Sequence, residues 1–155
     1  MLVQTKFFGE VDIEEEKVIT LVDGLLGFED KKKYVILYDN DKPGESQNIS
    51  WLQSVDDQIL TLPVVNPLYI MKDYNPIVED SLLEALGDPG EEEYMVLVTM
   101  RISPDAKRVS CNLKAPIVIN PKTLLGCQVI AENEEYPIHY YLSDVVDQVK
   151  ESAGE

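Results

Sequence analysis

Cationic residues are scarce in this sequence. It holds 13 Lys and Arg against 29 Asp and Glu, a formal charge of −16 at pH 7. Gripping nucleic acid through its phosphates, or an anionic membrane surface, needs Lys and Arg, so the deficit argues against both. It favours solubility and a basic partner. The acids form no tail: residues 1–75 carry 14 acids and 7 bases, and residues 76–155 carry 15 and 6. Any acidic patch must therefore be assembled by folding. Histidine is scarcer still. His139 is the only imidazole, and no G-x-S-x-G or comparable nucleophile motif accompanies it, so it reads as an ordinary strand residue. Cys111 and Cys127 stand alone, and with one His they cannot supply a zinc shell. They read as small buried hydrophobes rather than a disulfide. No apolar run has the length of a signal peptide or a membrane span, which predicts a cytoplasmic protein.

What is present is a core-forming chain. Its 155 residues are 45% apolar, too many for a disordered acidic chain and enough for one globular domain over 1–155. Segments rich in β-branched and aromatic residues predict strands at 17–23, 34–38, 49–55, 59–65, 94–102, 109–113, 117–119, 128–131 and 137–142. Asp23-Gly24, the 39–45 run and Asp88-Pro89-Gly90 mark turns, and Asn66-Pro67, Asn75-Pro76 and Asn120-Pro121 repeat a helix-barring break. Many short, closely spaced strands predict a mostly β, single antiparallel β-barrel-like domain with one or two short helices. One helix is expected at Ser81-Leu-Leu-Glu84, a capping box closed by Gly87. The other starts after an N-cap at Ser143, with Leu142, Val145, Val146 and Val149 as its apolar stripe and Glu151–Glu155 frayed.

No catalytic constellation emerges. The Asp39–Gly44 stretch imitates an EF-hand opening, but its twelfth position is Ser50 rather than a bidentate Glu, so it reads as a polar turn. Consecutive acids such as Glu14–Glu16, Asp56-Asp57, Glu91–Glu93 and Glu134-Glu135 alternate faces or lie in turns, unlike a carboxylate pair facing across a cleft. Gly24–Gly27 lacks the Lys-Ser/Thr of a phosphate loop. The basic run Lys31–Lys33 is too small to overcome the surrounding field. The expectation is a protein without catalytic residues, metal site or cofactor.

Three segments stand out as a set: Asp23-Gly-Leu-Leu-Gly-Phe-Glu29, Trp51-Leu-Gln-Ser54, and Asn112-Leu-Lys-Ala-Pro-Ile-Val-Ile-Asn120 running on to Gln128-Val-Ile130 and Tyr136. The glycines permit positive φ, Pro116 marks an edge or bulge, and Gln53 and Asn112 can cap backbone groups. In this order the segments resemble the family of the flagellar assembly factor FliW, from Thr5 to Leu142. One departure is visible: Leu26 stands where the family turn commonly carries Pro. The resemblance implies a small cytoplasmic β-barrel-like protein without catalytic activity. It implies that the protein binds flagellin and, when freed by flagellin export, binds the RNA-binding translational repressor CsrA without occupying its RNA site. Repression of flagellin synthesis is thereby relieved.

The candidate partner surface is Gly27, Phe28 and Glu29 together with Asn112, Lys114, Ala115 and Pro116. Asp56, Asp57, Glu132, Glu134 and Glu135 are candidates for steering a basic partner. Two other readings stay open from the residues alone. One is a carboxylate-dependent hydrolase. The other is an acidic nucleic-acid mimic that would compete directly with RNA.

Overall fold

A computed structural model describes residues 1–38, 49–90, 93–102 and 109–142. The expected helix from Ser143, the Asp39–Gly44 turn and Glu91-Glu92 lie outside the described residues.

The strands are β1 (Leu2–Gln4), β2 (Glu10–Asp12), β3 (Ile19–Leu21), β4 (Lys33–Tyr38), β5 (Ile49–Ser54), β6 (Thr61–Val65), β7 (Met95–Ile102), β8 (Val109–Cys111), β9 (Ile117–Ile119), β10 (Leu125–Gln128) and β11 (Tyr140–Tyr141). Seven close a barrel in the order β7-β6-β5-β4-β3-β10-β9, with β9 returning to β7. β8 and β11 extend from β7 as a side sheet. Most pairs are antiparallel as expected, but β3 and β10 run parallel, Leu125 facing Thr20 and Gly126 facing Leu21. That exception is what lets sequence-distant strands close the cylinder without an edge.

Alternation decides what fills the barrel. Tyr34, Leu52, Val64, Leu97, Ile117 and Ile119 pack inside with Ile19, Leu21 and Leu25. The outer faces are covered separately. The side sheet and the 67–74 segment bury Val65, Val98, Met100, Cys111 and Tyr74. Leu86, beside the short helix α1 (Asp80–Glu84), covers Val118, Cys127 and Val129. The third cover is the β1–β2 hairpin, which the sequence reading missed. Phe7 lies 4.8 Å from Trp51 between ring centroids. Gln53, 1% exposed, accepts from the Lys6 amide at 3.2 Å, and the two N–H groups of its Nε2 are shared among the carbonyls of Ser54, Asp57, Gln58 and Leu60, at 3.1 to 3.3 Å. A polar side chain this deep is stable because it replaces backbone partners on both sides.

Three expectations need correction. The capping box does not form: α1 starts at Asp80 after Glu79, which makes no side-chain cap bond, and Ser81 lies inside the helix. Gly87 is left-handed as expected, at φ 83, but stands three residues past the helix end at Glu84, whose cap is Ala85. The strand expected at 128–131 ends at Gln128. Beyond it Val129 and Ala131 still donate to Pro116 and Lys114, but Pro116 has no amide to return and the Lys114 and Ala115 amides turn to Asn112, so the ladder becomes one-sided. Finally, residues 137–142 pair only at Tyr140–Tyr141. Both cysteines are free and buried, as expected. Burial pushes the Cys111 thiol up to about 12 and raises Cys127, with Asp23 adding to the effect.

Candidate functional site

One end of the barrel gathers most of the segments singled out above. β3 and β10 run in the same direction, so the turn after Leu21 and the end of β10 at Gln128 fall at one mouth. β4 begins there, since Leu21 N–H donates to Lys32 O at 2.7 Å. β5 ends there, since Val55 N–H donates to Lys33 O at 2.9 Å. Three loops therefore share this rim: 22–32, 55–60 and 112–116.

The first loop is built on its glycines. Gly24 sits at φ 69, and a Cβ there would lie 2.6 Å from the Glu29 Cα, so no other residue fits without moving the backbone. Gly27 is also left-handed, at φ 92, but faces open space. The turn between them drives Leu25 into the barrel at 2% exposure while Leu26 and Phe28 stand out at 55% and 42%. Phe28 N–H closes on Leu25 O at 2.8 Å, and the Glu29 carboxylate accepts from Gly27 N–H at 3.2 Å. Leu26 in the family's Pro position is thus accommodated, and its amide is used: it donates to the Gln128 side chain at 2.8 Å.

Gln128, named above within the motif set but not among the candidate site residues, is the junction of this site. Its Oε1 takes the Leu26 amide while its Nε2 donates to Ala115 O at 3.1 Å. One side chain therefore joins the glycine turn to the N-L-K-A-P segment, two candidates more than 80 residues apart in sequence. The signal was present: a Gln in an otherwise apolar strand, Gly126-Cys-Gln-Val-Ile130.

The remaining candidates divide by position. The Asn112 carboxamide oxygen accepts from Lys114 and Ala115 N–H at 3.1 and 3.0 Å, an Asx turn. The Lys114 ammonium donates to Asn133 O at 2.9 Å. Ala115 and Pro116 are buried. These four shape the rim from beneath, whereas Leu26, Phe28, Ile59 (74% exposed) and Ile130 (53%) present apolar surface. Asp56 and Asp57 sit in the 55–60 turn with their amides on the Ser54 hydroxyl. Together with Asp30 they surround Tyr34, whose phenol is pushed up to about 12 by burial first and then by these three charges. Glu132, Glu134 and Glu135 lie on the strap after β10, which borders the 112–116 segment through Ala131 N–H on Lys114 O at 2.8 Å and meets Ile77 O through Glu132 N–H at 2.8 Å. So the structure brings Asp56 and Asp57 to the rim and leaves the three glutamates outside the Tyr34 group. Lys31–Lys33 share the rim, and Lys31 approaches Asp30 at 3.9 Å. Among the described residues, no group of three or more His, Cys, Asp or Glu is placed to hold a metal ion. Among the described residues no helix is long and apolar enough to cross a membrane.

Comparison with known proteins converges on one family. The model of the FliW protein family matches residues 2–142. A flagellar assembly factor FliW of Lachnoclostridium phytofermentans is 44% identical over 143 residues, covering 90% of this chain and 89% of the relative. One of Lachnospira eligens is 43% identical over 147 residues, covering 94% and 97%. A crystal structure of the flagellar assembly factor FliW superposes with a TM-score of 0.80 at 29% identity, covering 92% of this chain and 96% of that one. A match along nearly the whole chain, in sequence and in backbone, places this protein in the FliW family.

Proposed function

We propose that this protein is a non-catalytic, cytoplasmic regulator of flagellar assembly. It binds flagellin, chaperoning it, and when free of flagellin it binds a CsrA-type translational repressor and relieves repression of flagellin synthesis. The observation that carries this reading is the rim: four large apolar side chains, Leu26, Phe28, Ile59 and Ile130, left exposed at one barrel end. Large apolar side chains left exposed on the loops of one barrel end support a protein contact there. A flagellin helix with an apolar face fits such a surface.

The charge supports the second partner. An RNA-binding repressor carries basic surface, and a body of −16 steers it in while repelling RNA nearby. If the two partners exclude each other, the partner in excess takes the pool by mass action, which is a switch without chemistry. Calorimetry of the purified protein with flagellin and with a CsrA-type repressor tests the reading. Binding of both is expected, and binding of neither at micromolar concentration overturns it. A ternary complex with repressor and RNA is expected as well. Strict competition with RNA would favour the mimic reading instead.

A further inference from the structure

A second acidic surface lies beside α1, where Asp80, Glu84, Asp88 and Glu93 line one groove. The groove is shallow and is floored by Leu83, Pro89 and Tyr94. Its edges carry the four carboxylates, and among the described residues no Lys or Arg lines it. Lys122 reaches only its end, beside Gly90. Among the described residues none of the four carboxylates is in an ion pair. The groove is preformed: Tyr94 Oη donates to Gly87 O at 2.9 Å, Asn120 Nδ2 donates to Leu86 O and Gly87 O at 2.9 and 3.0 Å, and the Asp88 carboxylate accepts from Gly90 N–H at 2.8 Å. A groove held by such bonds loses little entropy when it is filled.

We propose that this groove is a second docking site, and that it takes a basic peptide segment of a partner protein. An apolar side chain of the segment sits on Leu83 and Tyr94, and flanking Lys or Arg side chains reach the four carboxylates. Charge selects this occupant. A second copy of this chain, at −16, and any phosphate backbone are repelled from the same edges. The site lies over the outer face of β9 and β10, away from the barrel mouth, so it does not depend on the function proposed for the rim.

The test uses the full chain and two fluorescein-labelled probes, Arg-Arg-Leu-Leu-Arg-Arg and Gln-Gln-Leu-Leu-Gln-Gln. Anisotropy at low salt should show binding of the arginine peptide and none of the glutamine peptide. Amide shifts should map to Leu83, Gly87, Gly90 and Tyr94. The triple variant Asp80→Asn, Glu84→Gln, Glu93→Gln should weaken binding about tenfold, as expected for a few exposed charge pairs. Equal neutralisation at the exposed Glu14, Glu15 and Glu16 should leave affinity within about twofold. All these positions are exposed, and an amide spectrum unchanged outside the groove confirms that each variant folds. Equal weakening by both variants would reduce the effect to the general field and overturn the proposal. So would shifts that map elsewhere, or no binding.

Discussion

Replacing Gln128 with Leu removes the one side chain that ties the glycine turn to the 112–116 segment. Two hydrogen bonds are lost, at 2.8 Å to the Leu26 amide and 3.1 Å to the Ala115 carbonyl. The two ends differ. Leu26 is exposed and its amide can turn to water, whereas Ala115 is 3% exposed, so its carbonyl stays desolvated. An ordinary hydrogen bond contributes about 1 kcal/mol net, and an orphaned buried acceptor costs about 1–3 kcal/mol. The sum is about 2 to 4 kcal/mol, a large part of a domain's stability. With a urea slope of about 2 kcal/mol/M for a small protein, the midpoint should fall by about 1 to 2 M. Urea unfolding followed by Trp51 fluorescence measures that, and amide exchange at Leu26 should quicken more than exchange inside the barrel. Gln128→Glu keeps the acceptor for Leu26 and removes the donor to Ala115, so Leu26 should stay protected while stability still falls. A Gln128→Leu midpoint unchanged within error, with Leu26 still protected, would refute the clamp.

Other outcomes follow from the same geometry. Gly24→Ala meets both a left-handed φ and a 2.6 Å clash with Glu29 and should cost at least about 3 kcal/mol. Gly27→Ala, with open space around it, should cost about 1 kcal/mol; equal urea midpoints for the two would contradict the turn geometry. Gln53→Leu strands the Lys6 amide and the Gln58 carbonyl, while the Asp57 and Leu60 carbonyls keep the Leu60 and Ser54 amides, so it should lose about 2 to 4 kcal/mol and release the N-terminal hairpin, seen as faster exchange at Lys6. Tyr34 and Cys111 both hold their protons to about pH 12 when folded, against about 10 and 9 when unfolded. The folded state therefore binds more protons in that window, so stability should be flat up to about pH 9 and decline towards pH 12. Cys111→Val should flatten the decline, and an unaltered slope would rule out the thiol's part in it.

Much of the fold was legible because its strands are locally written. Ile117–Ile119 is the strand expected, and Tyr34–Tyr38 is off by one residue, because β-branched and aromatic runs have few alternatives. The N-terminal hairpin was not legible: its strands have three residues each, and in β1 only Val3 turns inward. The closure of β9 onto β7 and the parallel β3–β10 pair were not legible either, since long-range pairing leaves no local pattern. At the site, the glycines announced the turn, and Phe28 was chosen as its anchor. Ile59 and Ile130 passed as strand residues because their exposure depends on where the barrel ends. The role of Asn112 as a turn former could be named in advance, but its junction with the glycine turn through Gln128 belongs to the folded state alone.

The central claim is that the barrel rim is where flagellin binds. Leu26→Ser with Phe28→Ser removes the exposed apolar pair without touching the barrel interior, so urea stability should hold within about 1 kcal/mol. Titration of this variant with flagellin by calorimetry is the most direct measurement. A loss of at least about tenfold in affinity, as for removal of a central apolar anchor, is the result expected. Unchanged affinity in a variant of unchanged stability would contradict the account.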